Sequence, residues 1–184
     1  MVKHLTKPEL DAGLQHILES PKDNGRLEAI VIRPESGQRK DLESCEISLE
    51  GGTHGDFWVR QSHMHTEDGR SHPDVQICMM NARCIALVAG ERARWPLAGD
   101  NLYIDMDMSP ENLPTGQKLS VGSAVIQITD APHAACASFI ERYGRDAAVF
   151  VNVGPGKANR LRGIYARVVQ DGRVSVGDAV VKVD

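Results

Sequence analysis

Two nine-residue segments in the second half of the chain echo one another: Ser-Val-Gly-Ser-Ala-Val-Ile-Gln-Ile over 120–128 and Ser-Val-Gly-Asp-Ala-Val-Val-Lys-Val over 175–183. In each, a turn glycine (Gly116, Gly172) leads into a short strand, a second glycine (Gly122, Gly177) bends the chain, and an alternating strand follows. Two corners converging on one bend chemistry and an ancestral duplication both account for the echo. Either origin predicts antiparallel β structure. Asp171-Gly172, between the apolar runs Ile164 to Val169 and Arg173 to Val176, predicts a hairpin. Seventeen glycines and only 4% aromatics suit many turns between short strands better than long helices.

The first half carries mixed signals. Thr6 and Glu9 form a capping-box pattern, and Leu10, Leu14, Ile17 and Leu18 recur at helical spacing until Pro21 and Asn24-Gly25. That predicts one amphipathic helix packed on the barrel. Leu27 to Arg33 is apolar on both faces and reads as a buried strand. Over Ser44 to Glu50, Cys45, Ile47 and Leu49 alternate with polar residues, the period-two pattern of a half-exposed strand. Gln61 to Pro73 is polar without apolar periodicity and predicts a surface loop. Val75 to Met80 reads as a strand and Ala82 to Gly90 as a short helix. The expectation is one domain over 1–184, with 1–26 a helical extension and 27–184 a mainly β barrel of antiparallel strands with a few short helices.

At 184 residues the chain has room for one core, and its hydrophobic and charged fractions, 41% and 25%, are those of a globular protein. A net charge of −4 argues against a nucleic-acid partner. No apolar stretch is long enough to span a membrane, and Met1 to Ser20 lacks the basic head and apolar centre of a signal peptide. A cytoplasmic protein with reduced thiols is expected, since the four cysteines form no C-x-x-C pair.

Of these thiols Cys136 stands apart. It follows a strand and Pro132, and opens a segment in which Phe139, Ile140 and Tyr143 make one apolar helical face. A thiol at the first helical turn lies near free backbone N–H groups and the positive end of the helix dipole, which favour thiolate, and His133 is expected to add to this. Such a thiolate could act as nucleophile, persulfide carrier or soft metal ligand. The alternative is a small buried hydrophobe, which is the expectation for Cys45, Cys78 and Cys84. Lys157, Arg160, Arg162 and Arg167 cluster around Gly154-Pro-Gly-Lys157, giving either an anion site or a solvated loop; the spacing is not that of a Walker loop. His63, His65 and His72, with Glu67, Asp68 and Asp74, have the ligand types of a zinc site but no helical spacing, so polar surface is the alternative. His54 and Asp56 follow a strand end, where a site residue or a backbone-bonding turn both fit.

Taken in order, Gly51-Gly-Thr-His-Gly-Asp56, Gly99-Asp-Asn-Leu102, Pro132 to Cys136, and Arg162-Gly-Ile-Tyr-Ala-Arg167 through Val176-Gly-Asp178 resemble the MOSC family, named for the C-terminal domain of molybdenum cofactor sulfurase. The resemblance runs from about Leu27 to Val183. It implies a stand-alone β barrel that binds a molybdenum-pterin cofactor, with Cys136 ligating the metal or carrying sulfur. Asp56 and Asn101 would then shape the pocket, while Arg162, with Arg160 and Lys157, would hold the anionic pterin side. Three functions follow. One is an oxidoreductase acting on N-hydroxylated or N-oxidised small molecules with a separate electron-donor reductase. Another is a sulfur carrier fed by a separate cysteine desulfurase. The third is a binding module for an anionic small molecule, in which Cys136 only packs.

Overall fold

The computed structural model describes residues 4–184. Helix α1 (Lys7–Leu18) opens with the expected capping box between Thr6 and Glu9. The chain then enters β1 (Gly25–Ile32), β2 (Lys40–Leu42), β3 (Ser44–Ser48), β4 (Gly52–Thr53) and the single turn α2 (Trp58–Gln61). After the 61–73 loop come β5 (Ile77–Asn81), α3 (Ala82–Ala89), a 3₁₀ segment over Arg92–Ala98, β6 (Leu102–Asp105), β7 (Lys118–Val121) and β8 (Ala124–Ile128). Three short helices follow, α4 (Ala137–Tyr143), α5 (Arg145–Asn152) and α6 (Pro155–Ala158), and then β9 (Ile164–Gln170), β10 (Gly172–Ser175) and β11 (Ala179–Val183).

Seven strands close into a ring in the order β11-β7-β8-β9-β5-β6-β1, with β1 pairing back onto β11; β2 is added to β1 from outside the ring. A separate small sheet runs β10-β3-β4. The chain forms the expected mainly β barrel with a few short helices, and neighbouring strands of the ring are antiparallel except at one place. β5 and β6 are parallel, with Met79 opposite Leu102, because α3 and the 3₁₀ segment form a crossover between them.

This architecture explains the two-sided apolar pattern of β1. Leu27 and Ile30 face the barrel interior with Met79, Ile104, Ile126 and Val180, while Ala29 and Val31 face a second core with Leu10, Ile85, Phe139 and Phe150 from the helices. A strand buried on both faces carries no polar alternation. β3, covered on one side only, keeps it: Cys45 and Ile47 are buried and Glu46 is exposed.

The two echo segments take different shapes. Gly122-Ser123 is a two-residue hairpin turn, with Val121 opposite Ala124. A Cβ on Gly122, at φ +56, would lie 2.3 Å from the Arg173 carbonyl oxygen, so only glycine fits. Over 176–178 the chain instead crosses from the small sheet to the barrel. The hairpin expected at Asp171-Gly172 is likewise corrected: β9 pairs with β8 and β5, and β10 pairs with β3. Asp171 is drawn away from a hairpin role by accepting a bond from the Leu49 amide at 2.8 Å. Among the described residues, no helix is long and apolar enough to cross a membrane.

Candidate functional site

Between β8 and α4 the chain runs without regular structure and is clamped to α5, where the Asn152 side chain accepts from the Ala135 amide at 3.0 Å. This delivers Cys136 to the N-cap of α4, with extended backbone (φ −100°, ψ 179°), and its carbonyl accepts from Phe139 and Ile140. Cys136 is exposed, unlike Cys45, Cys78 and Cys84. Partial burial works against its thiolate, but the amides of Phe139 and Ser138, the Arg162 charge and its own amide outweigh that and hold the thiol below its usual value of 9.0. Burial pushes Cys45 and Cys78 up to about 11 and Cys84 to about 12.

Next to this segment lies a cleft of about 530 Å³, walled by residues 129–134, Val151 and Asn152 of α5, Lys157 of α6, Arg160, and Arg162 to Ile164. The structure thus brings Lys157, Arg160, Arg162 and His133 around one space. Cys136 lies two residues beyond the lining segment. Arg160 adopts φ +51, a left-handed conformation uncommon for a residue with a side chain, and its guanidinium donates to the Leu113 carbonyl at 2.7 Å. Arg167 is turned to another task, an ion pair with Asp74 at 2.8 Å.

Arg162 is buried. It donates twice to Asp100, at 3.1 and 2.9 Å, and once to the Ala98 carbonyl at 3.2 Å, and it lies 5.1 Å over the Phe139 ring of α4. Its Nε has no partner among the described residues. His133 stacks on Tyr165 with ring centroids 4.4 Å apart, and its side chain is only 8% exposed. Burial, reinforced by the charges of Arg162, His63 and Arg33, drives its pKa well below 6.5. His133 is therefore neutral near pH 7, which corrects the expectation that it adds positive charge beside Cys136. Its Nδ1 also lacks a partner among the described residues.

Asp56 and Asn101 do not line this cleft. Asp56 is clasped by Arg33 through the backbone amide at 2.8 Å and the guanidinium at 2.9 Å, and also accepts from the Trp58 amide and the Asn101 side chain. Its burial opposes ionisation, but these bonds win and keep its pKa below the carboxylate norm. Asn101 accepts from the Cys78 amide and donates to the Val31 carbonyl, tying β5 to β1. The loop histidines part company: His72 caps the 3₁₀ turn over Pro73–Val75, and His63 lies 5.7 Å from the Tyr165 ring. Among the described residues no group of three or more His, Cys, Asp or Glu is arranged to hold a metal.

Sequence reasoning quoted Asp100 and Tyr165 within motifs without giving either a role, and did not single out Arg33 or Asn152. Asp100 and Arg162 are 62 residues apart and Arg33 and Asp56 are 23 apart, so no local spacing marks either pair.

A mixed seven-stranded barrel with short helices packed on it, an exposed thiol at a helix N-cap and a basic cleft nearby places the chain among small β-barrel proteins. The chain belongs to the MOSC domain family, whose model matches residues 63–181. Its fold is that of three crystal structures. The YuaD protein from Bacillus subtilis is 18% identical, with 85% of this chain and 94% of that chain covered and a TM-score of 0.57. YiiM from Geobacillus stearothermophilus is 13% identical, with 87% and 75% covered and a TM-score of 0.57. YiiM from Escherichia coli is 21% identical, with 86% and 70% covered and a TM-score of 0.54. No curated protein sequence matches the chain.

Proposed function

We propose that this chain binds a molybdenum-pterin cofactor in the basic cleft, with the Cys136 thiolate as the protein's ligand to the metal, and reduces N-hydroxylated or N-oxidised small molecules. The observation that carries this reading is the exposed thiol of lowered pKa two residues from the lining of a cleft where two lining residues, Arg162 and His133, each have a buried nitrogen (Nε and Nδ1) without a partner among the described residues. Buried polar atoms normally find partners, so a pair of unmet ones at a cleft fits a polar ligand.

The residues present fit such a group. A metal that arrives on a pterin brings ligands of its own, so one soft thiolate suffices and no three-residue protein cluster is needed. Lys157 and Arg160 would face its anionic side, and neutral His133 could offer either a donor or an acceptor to the heterocycle. When bound, the cofactor supplies the two-electron chemistry. The chain supplies a thiol whose pKa is lowered by the α4 amides and Arg162, together with fixed cations, while a separate reductase supplies electrons.

The exposure of Cys136 favours a second reading, in which it accepts sulfane sulfur as a persulfide from a separate cysteine desulfurase and passes it on. Metal and pterin analysis of protein made in a cofactor-competent host tests both. Under the first reading wild type contains molybdenum and Cys136→Ser does not; molybdenum absent from both overturns it. A persulfide on Cys136 after incubation with desulfurase and cysteine, seen by mass spectrometry, supports the second. Ligand affinity unchanged in Cys136→Ala, with no chemistry lost, would leave only a binding module.

A further inference from the structure

The cations that line the basic cleft, Lys157, Arg160 and Arg162, can only donate hydrogen bonds. Two other polar side chains of the lining are committed elsewhere: Asn152 Oδ1 accepts from the Ala135 amide at 3.0 Å, and Thr129 Oγ1 donates to the Asp74 carbonyl at 2.7 Å. Asp130 is exposed and, as a carboxylate, repels an anion. Cations by themselves select negative charge and nothing else about a ligand. The remaining polar side chain of the wall is neutral His133.

Its ring is held from several directions. Tyr165 stacks on it with centroids 4.4 Å apart. Nε2 lies 3.9 Å from Asp100 Oδ1, beyond hydrogen-bonding distance but close enough for the sign of that charge to matter in a buried setting. Nδ1 stands over Gly163, since the point that a Cβ of this residue would occupy is 3.3 Å from it. Gly163 is itself part of the cleft wall, and Nδ1 has no partner among the described residues.

A neutral imidazole carries one proton, and its two positions differ here. On Nε2 the proton turns its positive end to the Asp100 carboxylate. On Nδ1 it would leave a lone pair facing that carboxylate and strand a buried N–H without an acceptor. Both effects favour Nε2–H, which leaves Nδ1 as a lone pair. Arg162 Nε, the other unpartnered nitrogen of the lining, is a donor and cannot take this role.

We propose that His133 is a specificity-determining residue of the cleft: protonated on Nε2, it uses the Nδ1 lone pair to accept a hydrogen bond from an N–H of the bound heterocycle, so that an anion bearing such a donor is preferred to one without. This rests on the reading of the cleft as a pterin site and names the part of the ligand that His133 reads.

Two measurements on the full chain test it. With isotopically labelled histidine nitrogens, long-range proton–nitrogen correlation near neutral pH should show His133 Nδ1 unprotonated and Nε2 protonated, the signals being assigned by their loss in His133→Asn. Fluorescence titration then compares pterin-6-carboxylate, which has N–H donors, with 1,3-dimethyllumazine-6-carboxylate, which has none. His133→Leu should weaken the first about tenfold and leave the second within about twofold of wild type, with circular dichroism unchanged. His133→Asn, whose amide oxygen can stand where Nδ1 stands, should bind the first within about threefold of wild type. A protonated Nδ1, equal losses for the two compounds in His133→Leu, or His133→Asn no better than His133→Leu would overturn the role of His133 while leaving a pterin site. Failure of wild type to bind pterin-6-carboxylate, with Nδ1 unprotonated, would overturn the pterin reading and the recognition built on it.

Discussion

Asp100 is fully buried and the Arg162 side chain is 8% exposed, so their ion pair sits in the wall between the 3₁₀ segment and the cleft with little water to screen it. Asp100→Asn preserves the shape of the side chain and removes its charge. Arg162 would keep its bond to the Ala98 carbonyl and its place over Phe139, but no counter-charge within hydrogen-bonding distance. Stranding a buried charge in this way costs about 3–5 kcal/mol, out of a total that for a domain is roughly 5–15 kcal/mol. Arg162→Met added to the same background removes the stranded charge and leaves one poorly paired buried amide, at about 1–3 kcal/mol. The double variant should therefore be more stable than Asp100→Asn alone by roughly 2 kcal/mol, even though it has lost one more native side chain. Urea unfolding of wild type, both single variants and the double variant, followed by circular dichroism, closes the cycle. A loss below about 1 kcal/mol for Asp100→Asn, or two losses that simply add, would refute the reasoning.

Iodoacetamide applied to native protein at about pH 8 should label one cysteine, Cys136, because its thiol titrates below 9.0 while the other three are buried and raised; denaturant should expose all four, and a second native label would contradict this. Asp56 has its pKa lowered from 3.8 on folding, so the unfolded chain takes up this proton first as pH falls. Its contribution is complete above 3.8 and lost as pH drops through the folded value; Asp56→Asn should flatten that acid limb of the urea midpoint, and an unchanged limb would argue against the Arg33 clasp. Gly163→Ala places a Cβ 2.2 Å from the Met79 carbonyl oxygen at φ +108, so it should destabilise by at least about 2 kcal/mol and lower the thermal midpoint. An unaltered midpoint would mean the β9 entry is not as tight as described.

The elements legible in the sequence are those whose causes are local. The Thr6–Glu9 capping box, the alternation through β3 and the helix over 82–89 each depend on neighbours within a turn or a strand, and each is present. The echo shows where locality ends: the same glycine pattern makes a hairpin turn at Gly122, where β7 pairs with β8, and a sheet-crossing corner at Gly177, where β10 pairs with β3. Pairing partners decide between the two shapes, and partners are chosen by the whole fold. The parallel β5–β6 pair was hidden for the same reason.

The site divides along the same line. An N-cap is a property of a few consecutive residues, so the position of Cys136 could be read directly, and the amides of Ser138 and Phe139 that favour its thiolate come with the helix. The expected help from His133 failed because a histidine's charge depends on burial, and only the packed Tyr165 ring and the nearby guanidinium groups make that one neutral. The cation that does act on Cys136 is Arg162, held over Phe139 by a carboxylate 62 residues earlier. A chain could keep the cysteine and its helix, lose Arg162, and still present the N-cap thiol; by this argument that thiol would titrate closer to an ordinary cysteine. Comparing the pH dependence of alkylation in Arg162→Met and wild type measures that separation of position from tuning, with a rightward shift expected and no shift assigning the lowered pKa to the helix amides alone.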